Sequence, residues 1–342
     1  MRYLVTGGAG FIGSHLVEHL VGEGQDVVVL DDFSTGKREN LDGLHDRIEL
    51  IEGTVTDSVT CARACRGVDF VLHQAALASV PRSIKDPIAT HHANVTGTLN
   101  VLLAAREAGV RRVVYAASSS AYGNTTELPK HESMVPRPLS PYAVSKLAGE
   151  HYCRAMHASF GIEAVALRYF NIFGPRQDPA SQYAAVVPKF IVAAQSSEGP
   201  VIFGDGEQTR DFTFVANAVR ANMLACIAPA AACGEVFNVG CGARITVNQL
   251  WERIAALVGC AAQAHYVPAR AGDVRDSLAS LERSQRMLGY TPAMTIDDGL
   301  RRTVEWYTVR QAVAEASAEP AGVAQSTSRL GATSPSTAQP MA

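Results

Sequence analysis

The chain has 342 residues, of which 47% are hydrophobic and 18% charged, and its formal net charge is −3. This composition is typical of a globular protein with room for one large domain or two joined ones, and the slightly negative charge argues against a nucleic-acid partner. Seven scattered cysteines without a Cys-x-x-Cys pair, and histidines without metal-binding spacing, indicate a reducing compartment and no metal site.

The first predicted elements are a short buried strand at residues 3–6 and a helix, joined by a glycine-rich turn. The turn places Gly7, Gly10 and Gly13 in a Gly-x-x-Gly-x-x-Gly run, and leucines follow at helical spacing. Glycines at these positions let the backbone approach a pyrophosphate, which then lies at the N-terminus of the helix, where unpaired N–H groups favour an anion. The sequence therefore predicts a dinucleotide-binding site.

A second predicted strand, at 26–30, ends in Asp31, eighteen residues after Gly13. A carboxylate at this position accepts the hydroxyl groups of an adenosine ribose and repels a 2′-phosphate. The sequence therefore favours NAD over NADP as the cofactor. The nearby cations Lys37 and Arg38 are the feature that would favour NADP.

Further strands are predicted at 48–51, 68–72, 113–116 and 164–167, where apolar residues cluster. Helical patterns separate several of them, and the longest of these runs from 88 to 108. This alternation predicts the α/β class, with a Rossmann-type, doubly wound parallel sheet. A ligand of such a sheet binds at the carboxyl ends of the strands.

The carboxyl ends of these predicted strands carry small and polar side chains. A His-Gln-Ala-Ala run follows the fourth strand, and Ser118, Ser119 and Ser120 follow the fifth. Three successive hydroxyl groups also fit a polar turn. Because they end a strand and precede Tyr142 by some twenty residues, they suggest a hydrogen-bond donor to the reacting oxygen of a substrate.

Tyr142 and Lys146 lie four residues apart, and Ser140 and Pro141 before them predict that a helix begins here. Such a helix presents the phenol and the ammonium on one face. A general base needs a pKa about three units below that of free tyrosine, and a nearby cation favours the phenolate. The pair therefore predicts a proton-transfer site, although the pattern also fits an amphipathic helix with a surface lysine.

Composition divides the chain into three parts. We expect residues 1–171 to form an NAD-binding domain, and we allow that some later segments return to it. Residues 172–310 are predicted to form a smaller α+β substrate lobe, with helices at 247–258 and 296–309. Residues 311–342 are rich in Ala, Ser, Thr, Pro and Gln and are predicted to be a disordered tail.

Targeting signals are not evident. No apolar run is long enough to span a membrane, so no membrane association is expected. The N-terminus reads as a strand and not as a secretion signal, so we expect a cytoplasmic protein.

Four longer motifs accompany these patterns: Leu-His-Gln-Ala-Ala-Leu-Ala-Ser-Val-Pro-Arg-Ser at 72–83, Arg-Tyr-Phe-Asn-Ile-Phe-Gly at 168–174, Gly-Asp-Gly to Arg-Asp-Phe at 204–212, and Arg-Ala-Gly-Asp-Val-Arg at 270–275. Over residues 3 to 307 the chain resembles the extended short-chain dehydrogenase/reductase superfamily and, within it, the nucleotide-sugar 4-epimerases. It is most similar to bacterial UDP-N-acetylglucosamine 4-epimerases, which interconvert UDP-GlcNAc and UDP-GalNAc.

The resemblance implies that Tyr142 is the general base, that Lys146 binds the nicotinamide ribose and lowers the tyrosine pKa, and that Ser118 contacts the reacting oxygen. NAD would take a hydride from C4 of the sugar and return it to the other face. The implied cofactor contacts are Gly7, Gly10, Phe11, Ile12, Gly13, Asp31, Asp32, Val55, Gln74, Ala75, Ala76, Asn94, Tyr142, Lys146 and Tyr169. The implied substrate contacts are Ser118, Ser119, Ser120, Tyr142, Asn171, Val187, Phe203, Arg210, Arg270, Asp273 and Ser277.

The identity of the sugar depends on Ser277 in this resemblance, because a small residue there leaves room for an N-acetyl group. UDP-GlcNAc is therefore the expected substrate, with UDP-glucose a poorer one. The alternatives are a UDP-glucuronate 4-epimerase, a nucleotide-sugar 4,6-dehydratase, and a non-catalytic NAD-sensing protein. The dehydratase is disfavoured because serines at 119 and 120 replace the usual Asp-Glu pair. The resemblance also implies a role in polysaccharide biosynthesis and a homodimer formed through helices at 88–108 and 142–160.

Overall fold

The structure is a computed structural model that describes residues 1–179, 185–269 and 274–318. Its strands are, in chain order, β1 (Arg2–Thr6), β2 (Asp26–Asp31), β3 (Ile48–Glu52), β4 (Phe70–His73), β5 (Arg112–Ser118), β6 (Ala164–Tyr169), β7 (Ile172–Phe173), β8 (Val201–Phe203), β9 (Thr209–Arg210), β10 (Thr213–Phe214), β11 (Val236–Val239), β12 (Ile245–Thr246) and β13 (His265–Val267). Its α-helices are α1 (Phe11–Gly22), α2 (Ser58–Ala64), α3 (Val80–Lys85), α4 (Pro87–His91), α5 (Gly97–Glu107), α6 (Pro141–Phe160), α7 (Val186–Gln195), α8 (Val215–Ile227), α9 (Val247–Val258), α10 (Glu282–Leu288) and α11 (Ile296–Ala318).

Seven of these strands form one sheet in the order β11-β6-β5-β4-β1-β2-β3, and every pairing in it is parallel. The α/β class and all six predicted strands of this sheet are thereby confirmed. The strand order reverses between β1 and β4, and sheets of this kind bind ligands in the crevice at that point. The sequence analysis does not predict β11, whose short Val-Phe-Asn-Val run lies in the stretch assigned to the substrate lobe.

Alternate residues of the central strands pack against helices on the two faces of the sheet. Val5, Val27 and Val29 share a core with α1 and α8, whereas Leu4 and Val28 share one with α2, α5 and α6. Both faces of the sheet are therefore covered, which explains why its strands are apolar throughout.

The packing on the two faces of the sheet is here called the first core. A second core lies beyond β6. There α7, α9 and α11 pack around Phe173, Phe212 and Phe214. Between α7 and α9 the chain goes back to the main sheet, because α8 packs on the first core and β11 pairs with β6. The chain therefore passes between the two cores more than once, which brings loops of both to the carboxyl edge of the sheet.

The helices differ from the predicted ones in two places. The helix predicted at 88–108 is present as α4 and α5, but a π-helical turn, His92–Thr96, separates them. α11 continues to Ala318, past residue 311 where the tail was expected to begin. Residues 319–342, the rest of the predicted tail, lie outside the described residues. No helix in the described ranges is long and apolar enough to cross a membrane.

Candidate active site

Gly7 and Gly13 form a cradle into which no side chain fits. Gly7 has a φ of +68°, and a Cβ atom there would lie 2.8 Å from the Cα of Ala75. A Cβ atom at Gly13 would lie 2.0 Å from the carbonyl oxygen of Gly7. The turn therefore exposes backbone, not side chains, to the crevice between β1 and β4.

The first turn of α1 leaves backbone donors unused. Gly10 is the N-cap residue and offers no side-chain cap. The first N–H groups of a helix, here those of Phe11 and Ile12, have no partner within the helix and attract an anion together with the helix dipole. The cradle and this turn together fit the pyrophosphate of a dinucleotide.

Asp31 ties the glycine turn to the end of β2. Its carboxylate accepts hydrogen bonds from the N–H groups of Ala9 and Phe33, both at 2.8 Å. Burial raises the pKa of this carboxyl group. Asp31 therefore lies buried beside the glycine turn, where the sequence predicts a ribose, whereas Asp32 is exposed and its carboxylate accepts from the N–H and hydroxyl groups of Ser34.

The two cations that follow Asp31 are both compensated by carboxylates. Lys37 Nζ lies 3.3 Å from Asp178, and Arg38 forms an ion pair with Glu52. A 2′-phosphate would have to compete with these carboxylates, so the pocket suits NAD better than NADP.

Gln74 and Tyr169, two predicted cofactor contacts, lie side by side at the ends of β4 and β6. The Tyr169 hydroxyl is 3.3 Å from Gln74 Oε1 and accepts from Asn222 Nδ2 at 2.6 Å. Gln74 Nε2 donates to Asn222 Oδ1 at 3.1 Å. Asn222 was not predicted from the sequence, because an asparagine inside α8 matches no motif. This triangle lies next to the small predicted contacts Ala75 and Ala76.

Asn94 lies in the π-helical turn and connects the loop after β4 to α6. Its Oδ1 accepts from the N–H group of Leu77 at 2.8 Å, and its Nδ2 donates to Ser145 Oγ at 2.9 Å. π-helical turns often occur at functional sites, and this one brings Asn94 to the crevice. Val55, another predicted cofactor contact, is buried and packs against Gly97.

Tyr142 and Lys146 occupy the first turns of α6, as predicted. The helix is capped by Ser140, whose hydroxyl accepts from the N–H group of Ala143 at 3.2 Å. Tyr142 is half-buried. Lys146 is 3% exposed, and its Nζ donates to the carbonyl oxygen of Ala116 in β5 at 2.8 Å.

Burial dominates the pKa values of both Tyr142 and Lys146. Burial lowers the pKa of Lys146 to about 8, while Glu150 acts in the opposite direction. Burial raises the pKa of Tyr142, and the interaction with the Ser118 hydroxyl opposes that rise. In the folded chain by itself burial dominates the pKa of Tyr142, and the effect of Lys146 on that pKa stays a prediction.

Ser118 is oriented by Ser120. Ser118 Oγ caps a 3-10 turn, Ser119–Tyr122, and accepts from both the N–H group of Ser120 at 3.2 Å and its hydroxyl at 2.8 Å. Because both bonds are donated to Ser118, its own proton points elsewhere, and the Tyr142 phenol is a neighbour. Ser119 is half-buried in the same turn. The structure therefore brings the predicted hydroxyl and the predicted base together.

Four predicted substrate contacts line one cavity of about 280 Å³: Asn171, Val187, Phe203 and Arg210. Val187 and Phe203 give it an apolar wall, and Asn171 and Arg210 give it polar groups, as is usual for a small-molecule site. Asn171 has a φ of +37° and its Nδ2 donates to the carbonyl oxygen of Asp211 at 3.0 Å.

Ser277 lies beside this cavity. Its N–H group donates to the carbonyl oxygen of Thr209 at 3.1 Å, and the residue is 8% exposed. Arg210 Nη1 donates to the carbonyl oxygen of Arg275, two residues before Ser277, at 3.0 Å. The remaining predicted substrate contacts, Arg270 and Asp273, lie outside the described residues.

Metal ligands are absent from the part of the chain that the structure describes, where no group of three or more His, Cys, Asp or Glu side chains could hold an ion.

Comparison with known proteins assigns the family. The profile of the NAD dependent epimerase/dehydratase family matches residues 3–240. A UDP-glucose 4-epimerase of Mycolicibacterium smegmatis is 39% identical over 311 residues, covering 90% of this chain and 98% of the relative.

Two solved structures are similar over nearly their whole length. The UDP-glucose 4-epimerase of Thermotoga maritima, solved with UDP-glucose, has a TM-score of 0.87 at 36% identity and covers 91% of this chain and 100% of that one. The UDP-N-acetylglucosamine 4-epimerase of Methanobrevibacter ruminantium, solved with UDP-N-acetylmuramic acid, has a TM-score of 0.86 at 38% identity and covers 90% and 98%. The chain therefore belongs to the NAD dependent epimerase/dehydratase family and groups with its UDP-sugar 4-epimerases, which use NAD.

Proposed function

We propose that this protein interconverts UDP-GlcNAc and UDP-GalNAc by inverting C4 of the sugar, and that it acts on UDP-glucose more slowly. The observation that carries the choice of sugar is Ser277, a small buried residue on the segment bonded to Thr209 and Arg210. A serine leaves space for an acetamido group that a bulky side chain would fill. The two similar structures include an epimerase of each kind, so they do not decide between the sugars.

The chemistry assigns a proton-transfer role to Tyr142. As a phenolate it accepts the proton of the 4-hydroxyl group, and Ser118, whose proton is not used by Ser120, donates to the same oxygen. The Lys146 ammonium favours the phenolate and holds the ribose. NAD, when bound, would supply the hydride acceptor for C4 and, in its reduced form, the hydride donor for the return step. After the 4-keto sugar has rotated to present its other face, Tyr142 returns the proton to the oxygen on C4.

The cavity would hold the uracil ring and the diphosphate of the substrate, which stay in place while the sugar rotates. Val187 and Phe203 offer an apolar wall to a uracil ring. Arg210 offers a planar guanidinium group, which suits phosphate oxygens. A diphosphate anchored there leaves the sugar as the part that rotates between the two hydride transfers.

The base is tested by Tyr142→Phe. We expect turnover to be lost while NAD remains bound, because only the phenolic oxygen is removed. Turnover of UDP-GlcNAc and UDP-glucose is followed by separating the products, without added cofactor. A Phe variant with a near-normal rate would disprove the assignment.

The sugar preference is tested by Ser277→Tyr, with Ser277→Ala as the matched control. The tyrosine should reduce turnover of UDP-GlcNAc much more than turnover of UDP-glucose, and the alanine should reduce neither. Equal losses on both sugars would contradict the role of Ser277. UDP-glucuronate is assayed beside them, and preferential turnover of that sugar would favour the uronate epimerase instead.

We also propose a homodimer formed through the helices at 88–108 and 142–160. Ile84, Ile88 and Val144 are 66%, 68% and 53% exposed, and they lie on α3, α4 and α6, which pack against one another. Such exposed apolar residues on adjacent helices are typical of an interface. Sedimentation of Ile88→Asp should show a monomer, whereas Ile227→Asp, at an equally exposed site on α8, should leave the dimer intact. A dimer in both variants would exclude this interface.

A further inference from the structure

A chain of buried hydrogen bonds runs from the end of β1 to the first turn of α6. Thr6 Oγ1 lies 2.7 Å from His73 Nδ1, and His73 Nε2 lies 3.0 Å from Thr98 Oγ1. The Thr98 hydroxyl donates to the carbonyl oxygen of Asn94 at 2.6 Å. Asn94 Nδ2 then donates to Ser145 Oγ.

The last bond of the chain reaches the residue proposed as the base. The Ser145 hydroxyl donates to the main-chain carbonyl oxygen of Tyr142 at 2.8 Å. At the other end, Thr6 Oγ1 accepts from the N–H group of Ala75 at 3.3 Å. Thr6, His73 and Thr98 are each 1% exposed or less, so water does not compete for these bonds.

The direction of the two bonds made by the His73 ring follows from one contact. The Asn94 carbonyl can only accept, so Thr98 uses its single proton on it. Thr98 Oγ1 must then accept from His73, which places the histidine proton on Nε2 and leaves Nδ1 to accept from Thr6. Burial, reinforced by the Lys146 ammonium, lowers the pKa of His73 to about 3, so the ring is neutral.

The chain connects the segments that form the cofactor crevice. Thr6 precedes Gly7, and Gly7 lies so close to Ala75 that it has no room for a side chain. Asn94 lies in the π-helical turn, and its side chain accepts a hydrogen bond from Leu77 in the loop after β4. His73 is therefore the central member of a network that spans the glycine turn, β4, α5 and α6.

We propose that His73 is a positioning residue for the epimerisation reaction: through its Nε2–H···Thr98···Asn94···Ser145 link it holds the Tyr142 turn of α6 at a fixed distance from the glycine cradle. The inference rests on the proposed role of Tyr142. Misplacement of a reacting group by about 1 Å costs on the order of a hundredfold in rate. Loss of the link should therefore lower kcat without requiring the fold to be lost.

Two amide variants of His73 separate the two halves of the link. In His73→Gln the amide nitrogen takes the place of Nε2, so the bond to Thr98 is kept. In His73→Asn the amide oxygen takes the place of Nδ1, so the bond from Thr6 is kept and the bond to Thr98 is lost. We expect His73→Asn to lose about tenfold to a hundredfold in kcat with little change in KM for the UDP-sugar, and His73→Gln to lose much less. Equal kcat losses in the two variants would overturn the proposal.

Thr98 supplies a rescue experiment at the next position of the chain. Thr98→Val keeps the shape and removes the hydroxyl, so it should lower kcat as His73→Asn does, while Thr98→Ser keeps the hydroxyl and should restore it. Asn217→Ala is the stability control, because it breaks three part-buried bonds to residues 293 and 294 that lie outside the chain of bonds through His73. If Asn217→Ala lost as much stability as His73→Asn and its kcat also fell as far, the fall in kcat would be a consequence of lost stability, and the proposal would fail.

A readout without substrate keeps this inference separate from the proposed function. Nitrogen NMR of the full-length, histidine-labelled protein should show His73 as a neutral ring protonated at Nε2, with no titration between about pH 5 and 8. A ring protonated at Nδ1 or titrating in that range would overturn the proposal, whether or not the protein epimerises UDP-sugars. Normal NMR signatures with no turnover of any UDP-sugar would instead count against the proposed function alone.

Discussion

Glu150 and Arg168 form a two-bonded ion pair inside the protein, with Arg168 Nε 2.8 Å from one carboxylate oxygen and Nη2 2.6 Å from the other. The two side chains are 6% and 3% exposed. The pair joins α6, four residues beyond Lys146, to β6 next to Tyr169. It therefore fixes α6, which carries Tyr142 and Lys146, on the strand that ends at Tyr169.

Glu150→Gln should strongly destabilise the protein. The substitution leaves the Arg168 charge buried without a counter-charge, and breaking one side of a buried pair costs about 3–5 kcal/mol. Urea unfolding measures the loss. Replacing both residues by apolar ones of similar volume should recover much of the lost free energy of unfolding. If Glu150→Gln were as stable as the parent, the ion pair would not contribute to stability as expected.

Glu150 should also set the alkaline limit of activity. Its carboxylate raises the pKa of Lys146, which burial lowers to about 8, so removing the charge lowers that pKa further. The ammonium is then lost at a lower pH, and the alkaline limb of kcat/KM should move to lower pH in Glu150→Gln. Glu150→Asp keeps the charge and should leave the limb in place. A limb at the same pH in both variants would mean that Lys146 does not control it.

His15 should make the protein less stable in mild acid. Burial lowers its pKa from 6.5 to about 4, against the opposing bond to the Pro175 carbonyl. Between these values the unfolded chain binds a proton that the folded chain does not, so the free energy of unfolding falls as the pH falls. The slope is about 1.4 kcal/mol per pH unit for one such group, and His73 adds a second.

His15→Gln isolates this contribution, because glutamine can donate to the carbonyl and does not titrate. The difference in unfolding free energy between pH 7 and pH 5 should shrink by about 2 kcal/mol. His151→Gln, at an exposed position on α6, should leave the difference unchanged. Urea titrations at the two pH values make the measurement, and equal acid sensitivity in His15→Gln and the parent would contradict it.

The parts of the site that could be predicted are those that depend only on residues close together in the sequence. The glycine cradle, the Ser118 strand end and the Tyr142 helix each depend on a few consecutive residues, and all are present. The π-helical turn at Asn94 was not predicted, because one inserted residue shifts the apolar pattern of a helix by a single position, and the short helices on either side have too few turns to reveal that shift. Asn222 and Asp211 were missed because their roles depend on partners 53 and about 30 residues away or further. Such pairings exist only once the sheet and the second core have brought distant segments together.

Asp211 holds three backbone N–H groups at the boundary between the sheet and the substrate cavity. It is fully buried, and its carboxylate accepts from Cys241 at 2.7 Å and from Gly242 and Ala279 at 3.1 Å each. Residues 241 and 242 follow β11, and residue 279 follows Ser277. Neighbouring Arg210 lines the cavity, so this carboxylate ties the segment of Arg210 to the segments that follow β11 and Ser277.

Asp211→Asn should weaken substrate binding more than it slows the reaction. An amide has one oxygen where the carboxylate has two, so its NH₂ group faces a backbone donor and at least one buried N–H is left unsatisfied, which costs about 1–3 kcal/mol. The segments carrying Arg210 and Ser277 then separate, and KM for the UDP-sugar should rise by a larger factor than kcat falls. Asp297→Asn, which removes an exposed ion pair with Arg253, is the control and should change neither constant. If Asp211→Asn lowered kcat and left KM unchanged, the carboxylate would support the reacting groups and not the binding cavity.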